Sequence, residues 1–221
     1  MQQAQEALGI AERLGDTGRQ ADCLIGLAWA LETDKQLDAA EKAASRAISI
    51  LPEEGEQHRV CRSHQTLGEI YRSKGETEKA IDHFEVSLGI ASSFNWHERL
   101  FLVHYSMVIL FRDEGRLDDA QVHVDHAKLH TVNNAYHLGS ATEEQASICY
   151  KQHRLEEARS EALRAADIYD KLGAGKDLEN CRMLLRDIEK GLNTPITSGQ
   201  SGFDCELLQA VLLFACIDSS F

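Results

Sequence analysis

The chain has 221 residues, with 36 acidic against 23 basic side chains and a formal net charge of −13 at pH 7. This excess of negative charge argues against binding to nucleic acids or anionic membranes, because both require clustered Lys and Arg facing a polyanion. Hydrophobic residues make up 43% of the chain and only two residues are proline, which favours a globular protein built from long helices and disfavours a β-sandwich.

The six cysteines include no C-x-x-C pair, so we expect free thiols in a reducing, cytoplasmic compartment, without a bound metal or cofactor. The first residues lack the basic start and apolar stretch of a secretory signal. The longest apolar run, residues 210–217, has eight residues. A membrane span needs about 20 apolar residues, so no transmembrane segment is expected.

The N-terminal segment, residues 1–15, is predicted to form the second helix of a helical pair whose first helix is missing. Its phrase Ala-Leu-Gly-Ile-Ala at 7–11 recurs as Ser-Leu-Gly-Ile-Ala at 87–91. We expect this segment to leave an apolar edge exposed.

Four segments then share one pattern, marked by alanines spaced 40, 40 and 38 residues apart at Ala40, Ala80, Ala120 and Ala158. The predicted repeats are residues 21–54, 61–94, 101–134 and 139–172. In each repeat, apolar and small residues recur at helical spacing on two successive stretches, which predicts two amphipathic helices that face each other. A larger side chain at the small positions would push these helices apart.

The turn between the two helices of each repeat is also recognisable. It contains, in the four copies, Lys35, Gly75, Gly115 and His153. An acidic residue follows in the first turn of the second helix, where the helix dipole favours negative charge, at Asp38, Glu78, Asp118 and Glu156.

Three further segments complete the chain. Residues 177–190 carry apolar side chains at helical spacing and are predicted to form a closing helix, since terminal units of repeat arrays differ from the inner ones. Residues 191–202 form an uncharged linker, and residues 203–221 form an apolar, acidic tail without Lys or Arg.

The second repeat carries the clearest motif: His64-x2-Leu67-Gly68-x2-Tyr71, then Ala80-x3-Phe84. It resembles the tetratricopeptide repeat, whose pattern is W-x2-L-G-x2-Y, then A-x3-F, then P. His64 stands in place of the Trp and Ser92 in place of the Pro. The resemblance implies an all-α fold, a right-handed α-solenoid of antiparallel helical hairpins. The 40-residue period is similar to the arrays of kinesin light chains and of STAND-type signalling proteins.

In such a solenoid the first helix of each repeat lines the concave wall, and aromatic and arginine side chains are common interface anchors. The inner stripe gives the candidate binding residues Trp29, Arg62, Glu69, Arg72, Tyr105, Ile109, Arg112 and Tyr150. Its three arginines predict a locally basic groove on an acidic protein. An alternative for Trp29 is packing between adjacent hairpins. Tetratricopeptide co-chaperones that clamp a C-terminal carboxylate use Lys and Asn along this stripe, which lacks both here.

Three histidines on one helix face, His123, His126 and His130, have a spacing that could bind zinc. The repeat register places them on the outer side of a second helix, without a ligand from a neighbouring element, so no metal site is expected. The G-x-S-x-G and H-E-x-x-H motifs are absent, and we expect no catalytic activity.

Together these features predict a non-catalytic protein- or peptide-binding scaffold or sensor, compatible with a part of a larger signalling protein. Nucleic acid and membrane are not expected partners. The alternative is a self-association module that forms homo-oligomers through its ends, the open N-terminal edge and the C-terminal tail.

Overall fold

The computed structural model describes residues 2–52 and 54–193, which form ten helices and no strand. The helices are α1 (Gln2–Leu14), α2 (Thr17–Thr33), α3 (Leu37–Ser49), α4 (Gln57–Lys74), α5 (Thr77–Ser93), α6 (His97–Asp113), α7 (Leu117–Leu129), α8 (Ala135–Lys151), α9 (Leu155–Leu172) and α10 (Gly175–Asn193). Among these ten, none has the length and apolar character needed to cross a membrane.

The helices pack as successive hairpins: α2 with α3, α4 with α5, α6 with α7, and α8 with α9. Helix α1 packs against α2, and α10 packs against α9 and α8. The predicted all-α solenoid of helical hairpins is thus confirmed.

Each hairpin begins four residues before the predicted repeat. The first helices start at residues 17, 57, 97 and 135, where the pattern predicts repeats from 21, 61, 101 and 139. In every copy one further helical turn precedes the first residue of the predicted repeat. Helix α10 contains the predicted closing helix, 177–190, and also the first three residues of the predicted linker, 191–202. The rest of that linker and the predicted tail, 203–221, lie outside the described residues.

The turn within each hairpin reverses the chain through one left-handed residue. The φ angles are 60° at Lys35, 74° at Gly75, 74° at Gly115 and 59° at His153. The acidic residue predicted after each turn lies in the first turn of the second helix in all four copies. Glycine adopts this conformation freely, whereas Lys35 and His153 adopt it at a cost in conformational free energy, because each carries a Cβ atom.

Small residues let the helices approach closely. The four alanines that mark the repeats are fully buried. Gly68 of α4 lies directly against the ring of Phe84 in α5, so that a Cβ atom placed on Gly68 would lie 2.5 Å from Phe84 Cε1. The core therefore depends on small side chains at the positions that the pattern indicated.

Candidate functional site

The first helices of the hairpins form the inner layer of the solenoid. Helix α2 contacts α4, α4 contacts α6, and α6 contacts α8, whereas the second helices α3, α5, α7 and α9 make no contact with one another. A layer whose helices touch follows a shorter path than a layer whose helices are splayed apart. The inner layer therefore lines the concave side, as expected for stacked hairpins.

A cavity of about 310 Å³ opens between α2, α4 and α6. Its lining is mainly apolar side-chain surface with polar groups at intervals, and consists of Trp29, Glu32, Gln65, Thr66, Glu69, Ile70, Arg72, Leu102, Tyr105, Ser106 and Ile109. We call this space the apolar cavity.

Trp29 is the most exposed aromatic side chain of this lining. Its side chain is 53% exposed, and its indole Nε1–H donates a hydrogen bond of 3.1 Å to Thr66 Oγ1 of α4. The ring thus bridges two adjacent hairpins and also presents a face to the cavity. An aromatic side chain that is already fixed in orientation loses little entropy when a partner packs against it.

Tyr105 lies deeper in the same wall. Burial, together with the neighbouring Glu144 carboxylate, raises its phenol pKa above the ordinary value. The Tyr105 hydroxyl lies 3.5 Å from Glu144 Oε1, to which it donates. Tyr105 therefore acts as a neutral, mostly apolar wall with its polar end directed at α8.

The three arginines of the predicted stripe are each paired with a carboxylate of this chain. Arg62 lies 3.1 Å from Asp22 Oδ1, and Arg72 lies 2.8 Å from Glu69 Oε2. Arg112 lies 2.5 Å from Glu144, whose side chain is only 9% exposed. The expectation that these arginines make the groove locally basic is therefore wrong, because internal acids neutralise them.

A second, smaller cavity of about 240 Å³ adjoins the first. It is lined by Ile25, Trp29, Arg62, Gln65, Thr66, Arg99 and Leu102, and it shares four of these residues with the apolar cavity. We call it the arginine cavity. Its guanidinium groups come from Arg62 in α4 and Arg99 in the first turn of α6.

The eight predicted site residues are distributed over three environments. Trp29, Glu69, Arg72, Tyr105 and Ile109 line the apolar cavity, and Arg62 lines the arginine cavity. Arg112 and Tyr150 line neither of the two.

Arg112 and Tyr150 instead make contacts away from the two cavities. Arg112 holds Glu144, and Tyr150 is half-buried against the cluster that α8, α9 and α10 form around Ala146 and Ile188.

Arg99 is the lining residue that the pattern missed. The predicted third repeat began at residue 101, and the additional helical turn that carries Arg99 precedes it. Continuing the inner stripe backward from Tyr105 at helical spacing, through Leu102, would have found it.

The histidines differ from the expectation that they face outward without a partner. His104 of α6 meets His123 of α7 with 3.0 Å between their Nδ1 atoms, and it stacks on His126 at 5.0 Å between ring centroids. His97 likewise meets His130, with 3.2 Å between Nδ1 atoms. The prediction was wrong because positions 104 and 123 face each other across one hairpin.

The His104 imidazole is held neutral. Burial, with the neighbouring rings of His123, His126 and His130, lowers the pKa of His104 to about 3. In the part of the chain that the structure describes, no group of three or more His, Cys, Asp or Glu side chains is arranged to hold a metal ion.

A comparison with family models matches the tetratricopeptide repeat over residues 62–94, the second hairpin. The search of curated proteins gave no significant match. The resemblance of the sequence to tetratricopeptide repeats is thus confirmed on the hairpin that carries the clearest motif.

Solved structures extend the likeness to the whole array. BtubC (BKLC) from P. vanneervenii superposes with a TM-score of 0.67 at 15% identity, over 87% of this chain and 90% of that one. Tetratricopeptide-like repeats of a putative kinesin light chain from Podosopora anserina give 0.57 at 14% identity, over 80% of this chain and 98% of that one.

A Rap protein, solved in complex with Competence and Sporulation Factor, gives a TM-score of 0.58 at 17% identity, over 86% of this chain and 57% of that one. At such identities the likeness is one of fold. The fold of this chain is accordingly that of tetratricopeptide-like repeat arrays, and one of these similar arrays is of the kinesin-light-chain type.

Proposed function

We propose that this chain is a non-catalytic protein- or peptide-binding array, and that a segment of its partner lies along the concave wall with a side chain in the apolar cavity. The observation that carries this proposal is the half-exposed, hydrogen-bonded Trp29 at the mouth of that cavity. Large rigid aromatic anchors beside apolar pockets are typical of protein interfaces. Tyr105 and Ile109 supply the opposite wall.

The size of the cavity supports side chains of a macromolecule as ligands. Its volume of about 310 Å³ is at the lower end of the range of about 300–1,000 Å³ that is typical of small-molecule pockets. One or two side chains of a peptide would fill it. Around it, Glu69 and Arg72 form a polar rim in which each charge is already compensated, so that the rim orients a partner more than it attracts one.

The structural relatives are consistent with this role. The Rap protein that shares the fold was solved in complex with Competence and Sporulation Factor. We extend to this chain only the general role, a helical array that holds a partner. No residue of the site is assigned by that likeness.

A selection of random nine-residue peptides by phage display, followed by calorimetry on the enriched peptides, tests the proposal. Trp29→Ala should weaken binding at least about tenfold, because truncation of a central aromatic anchor typically costs about 2 kcal/mol or more. It should lower the free energy of unfolding by only about 1 kcal/mol, because half of the side chain is already exposed.

Phe94→Ala is the matched control, since Phe94 is 51% exposed and lies outside both cavities. Binding should be unchanged in this variant. If Trp29→Ala binds the peptides normally, or if it destabilises the fold by about 3 kcal/mol or more as a core aromatic would, Trp29 is a packing residue and the proposal fails.

Self-association is a second candidate, favoured by the N-terminal edge. Ile10 and Leu14 of α1 are 50% and 66% exposed, and they border a further apolar cavity together with Ala7 and Ala11. Light scattering after size-exclusion chromatography tests it, with the variant Ile10→Ser/Leu14→Ser and a deletion of residues 203–221. A protein that is monomeric before and after these changes would exclude the assembly function.

A further inference from the structure

We infer that the arginine cavity is a subsite for an acidic side chain, Asp or Glu, of the peptide that the groove binds, and that Arg99 is the residue that pairs with it. This inference rests on the proposed function. It adds the chemical class of one ligand position and a residue that determines specificity.

Arg99 has no carboxylate partner within ion-pair distance among the described residues. Arg99 donates a hydrogen bond of 3.2 Å from Nη1 to the neutral side-chain amide oxygen Oε1 of Gln65. The preceding residue, Glu98, is exposed to solvent. The guanidinium is half-buried in the cavity wall. By contrast Arg62, Arg72 and Arg112, the other groove arginines, are all paired.

The carboxylate that pairs with Arg62, the other arginine of this cavity, is shared with a third arginine and makes no ion pair with Arg99. Asp22 is shared by Arg59 and Arg62, with 3.0 Å to Arg59 and 3.1 Å to Arg62. Glu56 adds a second contact to Arg59 at 2.5 Å. Asp22 and Glu56 are thus engaged by Arg59 and Arg62, and Glu98 acts on Arg99 only as a nearby charge, without an ion pair.

The position of Arg99 is unfavourable for the folded chain alone. It lies in the first turn of α6, where the helix dipole disfavours a cation. Burial and the nearby Arg62 charge lower its pKa below the ordinary value for arginine. A half-buried cation without a partner costs stability, and a bound anion would remove that cost.

The ligand class follows from the charge and the geometry. One guanidinium without an ion-pair partner matches one carboxylate, which a planar arginine fork can bind through two parallel hydrogen bonds. A phosphate group, at about −1.5 to −2 charges, carries more negative charge than the single Arg99 guanidinium can neutralise. Trp29, Gln65, Thr66 and Leu102 border both cavities, so neighbouring positions of one peptide reach the arginine cavity and the apolar cavity together.

The test uses the same nine-residue display library, which has a blocked C-terminus on the phage, and synthetic peptides that are acetylated and amidated. Side chains are then their only carboxylates. Enriched peptides should carry Asp or Glu within two positions of a large apolar residue. Exchanging that acid for its amide should weaken binding at least about tenfold, as expected for a charge-assisted hydrogen bond.

Arg99→Gln should cause a similar loss for the acidic peptide, and it should leave the affinity for the amide peptide unchanged. Because Arg99→Gln removes an unpaired charge, its thermal midpoint should be equal to that of the wild type or higher. Arg164→Gln, an exposed arginine of α9, is the matched control and should bind both peptides as the wild type does.

The outcomes separate the two proposals. If Trp29-dependent peptides show no preference for an acid, or if Arg99→Gln and the acid-to-amide exchange weaken binding additively, the Arg99 subsite is overturned and the groove remains. If no enriched peptide depends on Trp29, the groove proposal fails and the subsite fails with it.

Discussion

Adding one methyl group at Gly68 tests how the hairpins are held together. The new Cβ would lie 2.5 to 2.9 Å from three ring carbons of Phe84, which is fully buried between α4 and α5. A fully buried aromatic ring cannot rotate away, so the two helices must separate. Such overpacking costs about 1–3 kcal/mol. The better helix propensity of alanine returns up to about 1 kcal/mol. We therefore expect Gly68→Ala to lower the free energy of unfolding by up to about 2 kcal/mol.

Gly26→Ala is the matched control, because a Cβ at Gly26 in the interior of α2 meets no atom within 4 Å. This variant should be stabilised by about 0.5–1 kcal/mol through helix propensity alone. Urea denaturation followed by circular dichroism measures both variants, with an unchanged m-value as the check on two-state unfolding. Phe84→Leu should cost less stability in the Gly68→Ala background than in the wild type. A Gly68→Ala variant as stable as Gly26→Ala would refute the close-packing explanation.

Three further predictions follow from the described contacts. Arg112→Ala leaves Glu144 buried without its ion-pair partner and should lower the free energy of unfolding by about 3 kcal/mol. The double variant Arg112→Ala/Glu144→Gln should restore part of this stability. A decrease below about 1 kcal/mol for Arg112→Ala, measured by chemical denaturation, would contradict the importance of the pair. His104, with its pKa lowered from 6.5 to about 3, stays neutral in the folded chain while the unfolded chain takes up a proton below pH 6.5. The thermal midpoint should therefore fall between pH 7 and pH 5, less steeply in His104→Gln, and an equal slope in both proteins would refute this assignment. Lys35→Gly should raise the free energy of unfolding by up to about 1 kcal/mol, because an L-residue in the left-handed conformation costs about 1–2 kcal/mol. Lys35→Ala, which keeps a Cβ atom, should give no such increase in stability. An equal effect of the two substitutions would argue against backbone strain at this turn.

The hairpin architecture could be predicted from the sequence because its signals are local. The marker alanines lie where two helices touch, and the four turn positions all adopt the left-handed conformation. Each such position restricts either the size of the side chain or the backbone φ angle, independently of residues elsewhere in the chain. The helix starts were harder to predict, since the fourth position of the additional first turn is apolar in three copies, as Val60, Leu100 and Leu138, but is Gln20 in the first copy.

The electrostatics of the groove could not be derived from the inner stripe alone. Arg62 pairs with Asp22, 40 residues away, and Arg112 pairs with Glu144, 32 residues away, so each partner belongs to an adjacent repeat. The stripe contained Glu69, the partner of Arg72, but it did not show which acids neutralise Arg62 and Arg112. For the same reason Arg99, which has no acid in the adjacent repeat to meet it, could not be distinguished from a surface charge.

The histidines illustrate the same limit within one hairpin. His64 meets His83 with 2.9 Å between Nδ1 atoms, and His104 meets His123 at 3.0 Å, each at a separation of 19 residues. The helical period of α7 alone placed His123 on an outer face. In the folded hairpin α7 packs against α6, and this packing brings His123 against His104 of α6. The pattern of a single helix does not contain that information.

The central claim, that a peptide lies in the concave groove, is tested most directly by nuclear magnetic resonance of the protein titrated with a display-selected nine-residue peptide. The indole Nε1–H of Trp29, which donates to Thr66 at the mouth of the apolar cavity, gives an isolated signal that reports on this site. We expect the peptide to shift this signal and the signals of the backbone amides around Tyr105, while the amide signals of α7 on the outer layer stay unchanged. Shifts confined to α7 and the other second helices, with the Trp29 indole unaffected, would contradict it.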